Sequence, residues 1–163
     1  MSAEGISRSE EETERFGERL ASGLLPGAVV YLLGRLGAGK TALARGLARG
    51  LGAAPREVAS PSFAILHEYA GDDGRIRLRH LDLYRLKDDE KELAILGLPD
   101  SMSGAPVAVE WPGETVRRLL PPTIEVSIEI LPDGARRIAV SSQLSALSQA
   151  PNAESRRAPG TDS

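Results

Sequence analysis

Gly34-Arg35-Leu36-Gly37-Ala38-Gly39-Lys40-Thr41 is the stretch whose reading decides the fold. It fits the phosphate-loop pattern of a glycine, four free positions, then Gly-Lys followed by Ser or Thr. At average residue usage the bare pattern arises by chance in about one chain in 200 of this length, so the flanking sequence has to support it. Ala28-Val29-Val30-Tyr31-Leu32-Leu33 in front reads as a buried strand, and residues 42–49 behind read as a helix burying Leu43, Leu47 and Leu51. In a strand–loop–helix unit the glycines let successive backbone N–H groups turn around phosphate oxygens, and the helix points its N-terminus at them. The expected architecture is an α/β P-loop fold, three layers α/β/α, with a mixed central sheet.

Upstream, Ser9 and Glu12 form a capping box, and Phe16, Leu20 and Leu24 recur at spacings of four. A helix is expected over residues 10–22, ended by Pro26-Gly27. Downstream, the segment from Val58 begins as a loop fixed by Pro61 and turns into a strand toward Tyr69. Asp72-Asp73-Gly74 makes a hairpin turn into a returning strand over 75–83. Acidic residues at 88–90 start a short helix closed by Gly97. Pro106–Trp111 is a short apolar strand ending in a carboxylate, and Pro132-Asp133-Gly134 joins a final hairpin, 123–131 with 136–141. One P-loop domain is expected over residues 1–141. Residues 142–163, rich in Ser, Gln, Ala and Pro, read as a disordered tail with room for a short helix around Leu144–Leu147.

The bulk properties narrow the class. A chain of 163 residues suffices for a hydrophobic core, and the absence of cysteine excludes disulfides and thiolate metal ligands. No segment approaches the length of a membrane span, and the N-terminus lacks the basic start and apolar run of a signal peptide, so the expected location is the cytoplasm. A net charge of −3 argues against autonomous, strongly electrostatic binding to nucleic acid, while leaving RNA contact through a partner open.

Lys40 is expected to reach the β- and γ-phosphates, and the Thr41 hydroxyl suits Mg²⁺, a hard cation that prefers oxygen. A carboxylate must still hold the metal or its waters. Glu110 ends the strand 107–109, where a P-loop fold places its second metal-binding acid. Asp82, in His80-Leu81-Asp82-Leu83-Tyr84-Arg85, is the competing candidate. If extended, that run puts His80, Asp82 and Tyr84 on one face, which is either an active-site face or a wet side of the sheet. Ser60-Pro61-Ser62-Phe63 stands where a γ-phosphate-sensing switch can sit, or where Ser60 caps a turn and Phe63 packs. Trp111, the single tryptophan, is either a packing anchor or exposed to a ligand or partner. His67 reads as surface or edge-strand filler. The guanine-reading Asn-Lys-x-Asp element is absent, the sole Asn being Asn152, so ATP is the default base choice.

Thr13 with Phe16-Gly17-Glu18-Arg19-Leu20, the loop Leu36-Gly37-Ala38-Gly39-Lys40-Thr41, Ser60-Pro61-Ser62-Phe63, His80–Arg85 and Val109-Glu110-Trp111-Pro112, in that order, resemble the TsaE (YjeE) family. The resemblance covers roughly residues 10–140. It implies a weak Mg²⁺-dependent ATPase working with the TsaD and TsaB proteins on adenosine 37 of tRNAs reading ANN codons, with tRNA met through the complex. By position it implies phosphate and metal binding by Lys40 and Thr41, Mg²⁺ binding by Glu110, and Asp82 at the nucleotide. Thr13 would approach the nucleotide from the opening helix, and Trp111 would lie near the site. The chain departs from the family at Arg35, where an acid is usual, and at Ser62, where Thr is usual. Two other classes share the loop. A small-molecule kinase would need lid arginines, for which Arg117-Arg118 is the candidate; a nucleotide-sensing module would bind without useful hydrolysis.

Overall fold

Alternation along Val29–Leu33 (β2) sends consecutive side chains to opposite faces, and both faces are buried, which marks a strand inside a sheet covered on both sides. The computed structural model describes residues 3–55, 57–59, 65–86, 88–98 and 104–142. Beside β2 these form β1 (Ala3–Ser7), α1 (Glu10–Ala21), α2 (Lys40–Gly50), β3 (Glu57–Ala59), β4 (Leu66–Ala70) and β5 (Ile76–Asp82). Then follow α3 (Glu90–Ile95), β6 (Val107–Glu110), α4 (Glu114–Leu119), β7 (Ile124–Ile130) and β8 (Arg136–Ser142). The strands make one eight-stranded sheet in the order β1-β8-β7-β2-β6-β5-β4-β3. β2 runs parallel to β6 and β7, and β5 parallel to β6, while the outer pairs are antiparallel hairpins or returns. The sheet is mixed, as expected.

Two cores follow from the alternation. Val30 and Leu32 face α1 and α2 together with Leu43, Leu47, Leu78, Ala108, Val126 and Ile138. Val29 and Tyr31 face α3 and α4 with Leu81, Leu93, Val107, Val109 and Val116. The layers are therefore helix pair, sheet, helix pair. α1 begins where the capping box predicts, with Ser9 Oγ accepting from Glu12 N at 3.1 Å and Glu12 returning to Arg8 N at 2.7 Å. α1 and α2 touch backbone to backbone through glycines. A Cβ on Gly46 would lie 2.0 Å from Glu14 O, and one on Gly17 would lie 2.5 Å from Leu43 O. Arg45 and Arg49 stitch the same seam, to Glu10 and Glu14 and to Glu14 and Glu18 respectively.

Three features differ from the sequence reading. β1 adds an edge strand that Ala3-Glu4-Gly5-Ile6-Ser7, with a single large apolar residue, does not announce. α4 rises directly after Trp111-Pro112-Gly113 and buries one residue, Val116, too short a stripe for periodicity to reveal. Val58 and Ala59, read as the start of a loop, pair with β4 as part of β3. That makes β4 an interior strand, so His67 is no edge filler: it is half-buried, its ring 5.8 Å from that of His80. Ser60-Pro61-Ser62-Phe63 and the segment beyond Ser142 lie outside the described residues. Among the described residues no helix is long and apolar enough to cross a membrane.

Candidate functional site

The parallel strands β2, β5 and β6 end side by side, and the phosphate loop rises from the end of β2. Carboxyl ends of parallel strands are where α/β sheets bind ligands. A cleft of about 420 Å³ opens there, lined by Thr13 and Leu36–Thr41 with Asp82, Tyr84, Glu110 and Trp111, and reaching Arg8, Arg45 and Arg136. Loop curvature rests on glycines with positive φ, Gly37 at +79° and Gly39 at +112°. Gly39 is the N-cap of α2, so the first free N–H groups of the helix face the cleft.

The structure gathers Lys40, Thr41, Glu110 and Asp82 at that point. Thr41 Oγ1 donates to Glu110 Oε1 at 3.0 Å, and His80 Nε2 meets the same oxygen at 2.8 Å. Glu110 and Asp82 are register partners on β6 and β5, which sets the two carboxylates next to each other. Glu110 is 3 % exposed. Burial pushes its carboxyl up, but the bonds from His80 and Thr41 and the charge of Lys40 outweigh that and hold it below the ordinary carboxylate range. Asp82 Oδ1 accepts from Tyr84 N at 3.1 Å, which turns the chain out of the strand. Tyr84 therefore leaves the strand face predicted for it and stands exposed at the rim. His80, by contrast, is 2 % exposed beneath α2, because in a three-layer fold both faces of β5 are covered.

The Lys40 ammonium donates to Gly34 O at 2.5 Å and Arg35 O at 3.0 Å, and lies 4.0 Å from the Trp111 ring centroid. Burial lowers its pKa, while Glu110 and Asp82 act in the opposite direction. No carboxylate among the described residues pairs with it directly, so a positive charge stays at hand for an anion. Trp111 is half-buried with its ring 5.0 Å from that of Tyr84, and its φ is +58°. For a bulky residue that conformation costs about 1–3 kcal/mol, and such strain concentrates at functional sites.

Thr13 is buried on the cleft wall, its methyl 3.6 Å from where a Cβ on Gly39 would stand. Its hydroxyl is occupied with Ser7 Oγ at 2.7 Å and Ser9 O at 3.2 Å. Leu36 is exposed at the tip of the loop. The arginines considered for a lid do not reach the cleft: Arg117 pairs with Glu125 and covers the Tyr31 ring, and Arg118 pairs with Glu90. Sequence reasoning missed Arg136, which donates to the loop carbonyls, and underrated His80, whose bond to Glu110 joins residues thirty apart. Only its neighbour Asp82 signalled His80; nothing local signalled Arg136.

The donor set suits Mg²⁺. Thr41 and Glu110 offer adjacent hard oxygens, and among the described residues there is no group of three or more His, Cys, Asp or Glu that makes a self-sufficient metal cage. Mg²⁺ bound by one or two protein oxygens, with phosphate and water completing the shell, needs no more.

Comparison with known proteins gives the family. The family profile described as "Threonylcarbamoyl adenosine biosynthesis protein TsaE" matches residues 7–138. The chain is 41 % identical over 138 residues to the tRNA threonylcarbamoyladenosine biosynthesis protein TsaE of Treponema pallidum, covering 83 % of this chain and 98 % of that one. It is 38 % identical over 129 residues to the Bacillus subtilis protein of the same name, covering 78 % of each. Its fold superimposes on the crystal structure of Bacillus subtilis YdiB with a TM-score of 0.62 at 28 % identity, covering 87 % of this chain and 86 % of that one. Profile, relatives and the P-loop architecture lead to one conclusion: the chain belongs to the TsaE family of P-loop NTPases.

Proposed function

We propose that this protein is an Mg²⁺-dependent ATPase that works with TsaD and TsaB in forming the threonylcarbamoyl group on adenosine of tRNA. The observation that carries the reading is the hydrogen bond from Thr41 to Glu110, on the floor of a glycine loop whose lysine has no direct acidic partner among the described residues. Within the reading, the Lys40 ammonium and the backbone N–H groups of Gly37 and Gly39–Thr41 would hold the β- and γ-phosphates, and Leu36 and Thr13 shape the wall around them. Thr41 and Glu110 would hold Mg²⁺, which would supply neutralisation of phosphate charge. His80 fixes the Glu110 carboxylate in the rotamer that faces Thr41. Asp82 orients the water that attacks the γ-phosphorus; the bond from that phosphorus to the β-phosphate oxygen breaks, ADP leaves, and the water's proton departs with inorganic phosphate or to solvent. ATP rather than GTP is supported by the missing guanine-reading element.

TsaD and TsaB follow from the family resemblance, and the names of the relatives place those proteins in threonylcarbamoyladenosine biosynthesis. Among the described residues the three arginines lining the cleft, Arg8, Arg45 and Arg136, are engaged with Asp133, with Glu10 and Glu14, and with loop carbonyls, so none of the three stands free to neutralise a transition state. Low intrinsic turnover raised by assembly fits that arrangement, and RNA is met through the complex. The kinase alternative is weaker, because Arg117 and Arg118 are committed away from the cleft. The test is phosphate release by the full chain with ATP and Mg²⁺, alone and with TsaD–TsaB and tRNA. A slow rate that rises on addition of the partners is expected. An unchanged rate together with no complex on sedimentation would overturn the partner assignment.

A further inference from the structure

Arg136 differs from the other arginines around the cleft. Arg8 pairs with Asp133, and Arg45 with Glu10 and Glu14, whereas every hydrogen bond of Arg136 among the described residues ends on a main-chain carbonyl. Its Nε donates to Ala38 O at 2.9 Å, one terminal nitrogen to Gly37 O at 3.3 Å, and the other to Gly134 O. Gly37 and Ala38 are in the phosphate loop, and Gly134 is in the turn between β7 and β8. A single planar fork thus fastens the loop to the hairpin. A second contact supports the same junction: Gly34 has φ +156°, and a Cβ there would lie 2.7 Å from Ile128 O on β7.

The fork governs peptide orientation. In a trans peptide the carbonyl and the following N–H point in opposite directions. Holding Ala38 O toward Arg136 sends the Gly39 N–H away from it. Holding Gly37 O fixes the same way the Ala38 N–H, which closes the loop's own turn by donating to Arg35 O at 3.1 Å and leaves the Gly39 N–H as the amide set open. Gly37 and Gly39 have no side chain to restrict these planes, so an untethered loop would sample several orientations. Ordering them only when phosphate arrives would cost affinity.

We propose that Arg136 is a positioning residue for polyphosphate, acting through the carbonyls of Gly37 and Ala38 to preset the loop amides. The inference rests on the phosphate-loop reading above, and it assigns Arg136 no contact with base or ribose. Calorimetric titration of the full chain with ATP and with inorganic triphosphate tests it, for wild type, Arg136→Gln and Arg136→Lys. Hydrogen exchange of residues 34–41 is followed in the ligand-free proteins. Arg136→Gln should weaken both ligands by a similar factor, roughly tenfold to a hundredfold, as expected for losing bonds from a charged donor. Loop amides should exchange faster while those of β2 stay protected. Arg136→Lys, with a charge but no fork, should recover only part of the affinity, and it decides the matter if the Gln variant does not fold. Loss of ATP binding alone would show that Arg136 touches the nucleoside, and full rescue by Lys would show that charge suffices. Either result, or unchanged binding of both ligands, overturns the proposal while leaving the phosphate-loop reading intact. Failure of the wild type to bind either ligand would overturn that reading itself.

Discussion

At the scale of single residues, the two carboxylates differ in what surrounds them. Glu110 is buried and bonded to Thr41 and His80, whereas Asp82 is half-buried and bonded to the backbone of Tyr84. The roles proposed for them should separate accordingly. Glu110→Gln should raise the Mg²⁺ needed for half-maximal turnover by roughly tenfold to a hundredfold, the range found when metal-site residues are changed. Asp82→Asn should keep ATP affinity and lose turnover. Steady-state rates across a Mg²⁺ series, with ATP affinity measured in parallel, check both. Wild-type behaviour of both variants would leave neither carboxylate a part in metal binding or turnover. The positions of Glu110 and Asp82 beside the phosphate loop were legible because strand ends and short motifs are local in sequence. Arg136 was not, since its loop partner Ala38 is 98 positions away and no local pattern marks a residue that serves another segment's carbonyls. Trp111 was undecided for a similar reason: its surroundings are Lys40 and Tyr84, both distant in the chain.

At the scale of elements, the seam of α1 and α2 carries the phosphate loop, because α2 starts from it. The seam is close-packed at Gly17, Gly46 and Gly50, where any Cβ would meet backbone or side-chain atoms within 2.6 Å. Gly46→Ala gains helix propensity, worth up to about 1 kcal/mol, and loses more to overpacking against Glu14, about 1–3 kcal/mol. The substitution should therefore destabilise, and chemical denaturation should show a lower midpoint. A midpoint at or above wild type would mean that the helices are farther apart than described. The capping box made the start of α1 legible, and the spacing of Leu43 and Leu47 did the same for α2. Neither signal says that glycines set the distance between the helices. β1 and α4 stayed hidden because each buries too few large apolar groups to leave a period.

At the scale of the whole molecule, the sheet buries Tyr31 completely, with its hydroxyl donating to Leu120 O at 2.6 Å on the far side of the core. Burial pushes the phenol up to about 12, opposed by Arg117 and reinforced by Glu125. The unfolded chain ionises near its ordinary value of 10.0, so between these values the folded state binds more protons than the unfolded one. Tyr31 therefore contributes stability that is fully present below pH 10 and is lost as pH rises toward 12, about 1.4 kcal/mol per pH unit. Denaturation of wild type and Tyr31→Phe across that window should show a gap that narrows as pH rises. A gap independent of pH would contradict the buried phenol.

The central claim is that this fold hydrolyses ATP in the service of tRNA threonylcarbamoylation, and Lys40 is the residue on which it depends most. The direct measurement is the threonylcarbamoyladenosine content of tRNA after multiple turnovers of a reconstituted TsaD–TsaB reaction, with this protein, without it, and with Lys40→Ala. The account predicts repeated modification only with the wild-type chain and ATP, and a fall to the level without the protein for Lys40→Ala. Equal modification with wild type and Lys40→Ala, or with and without the protein, would contradict it.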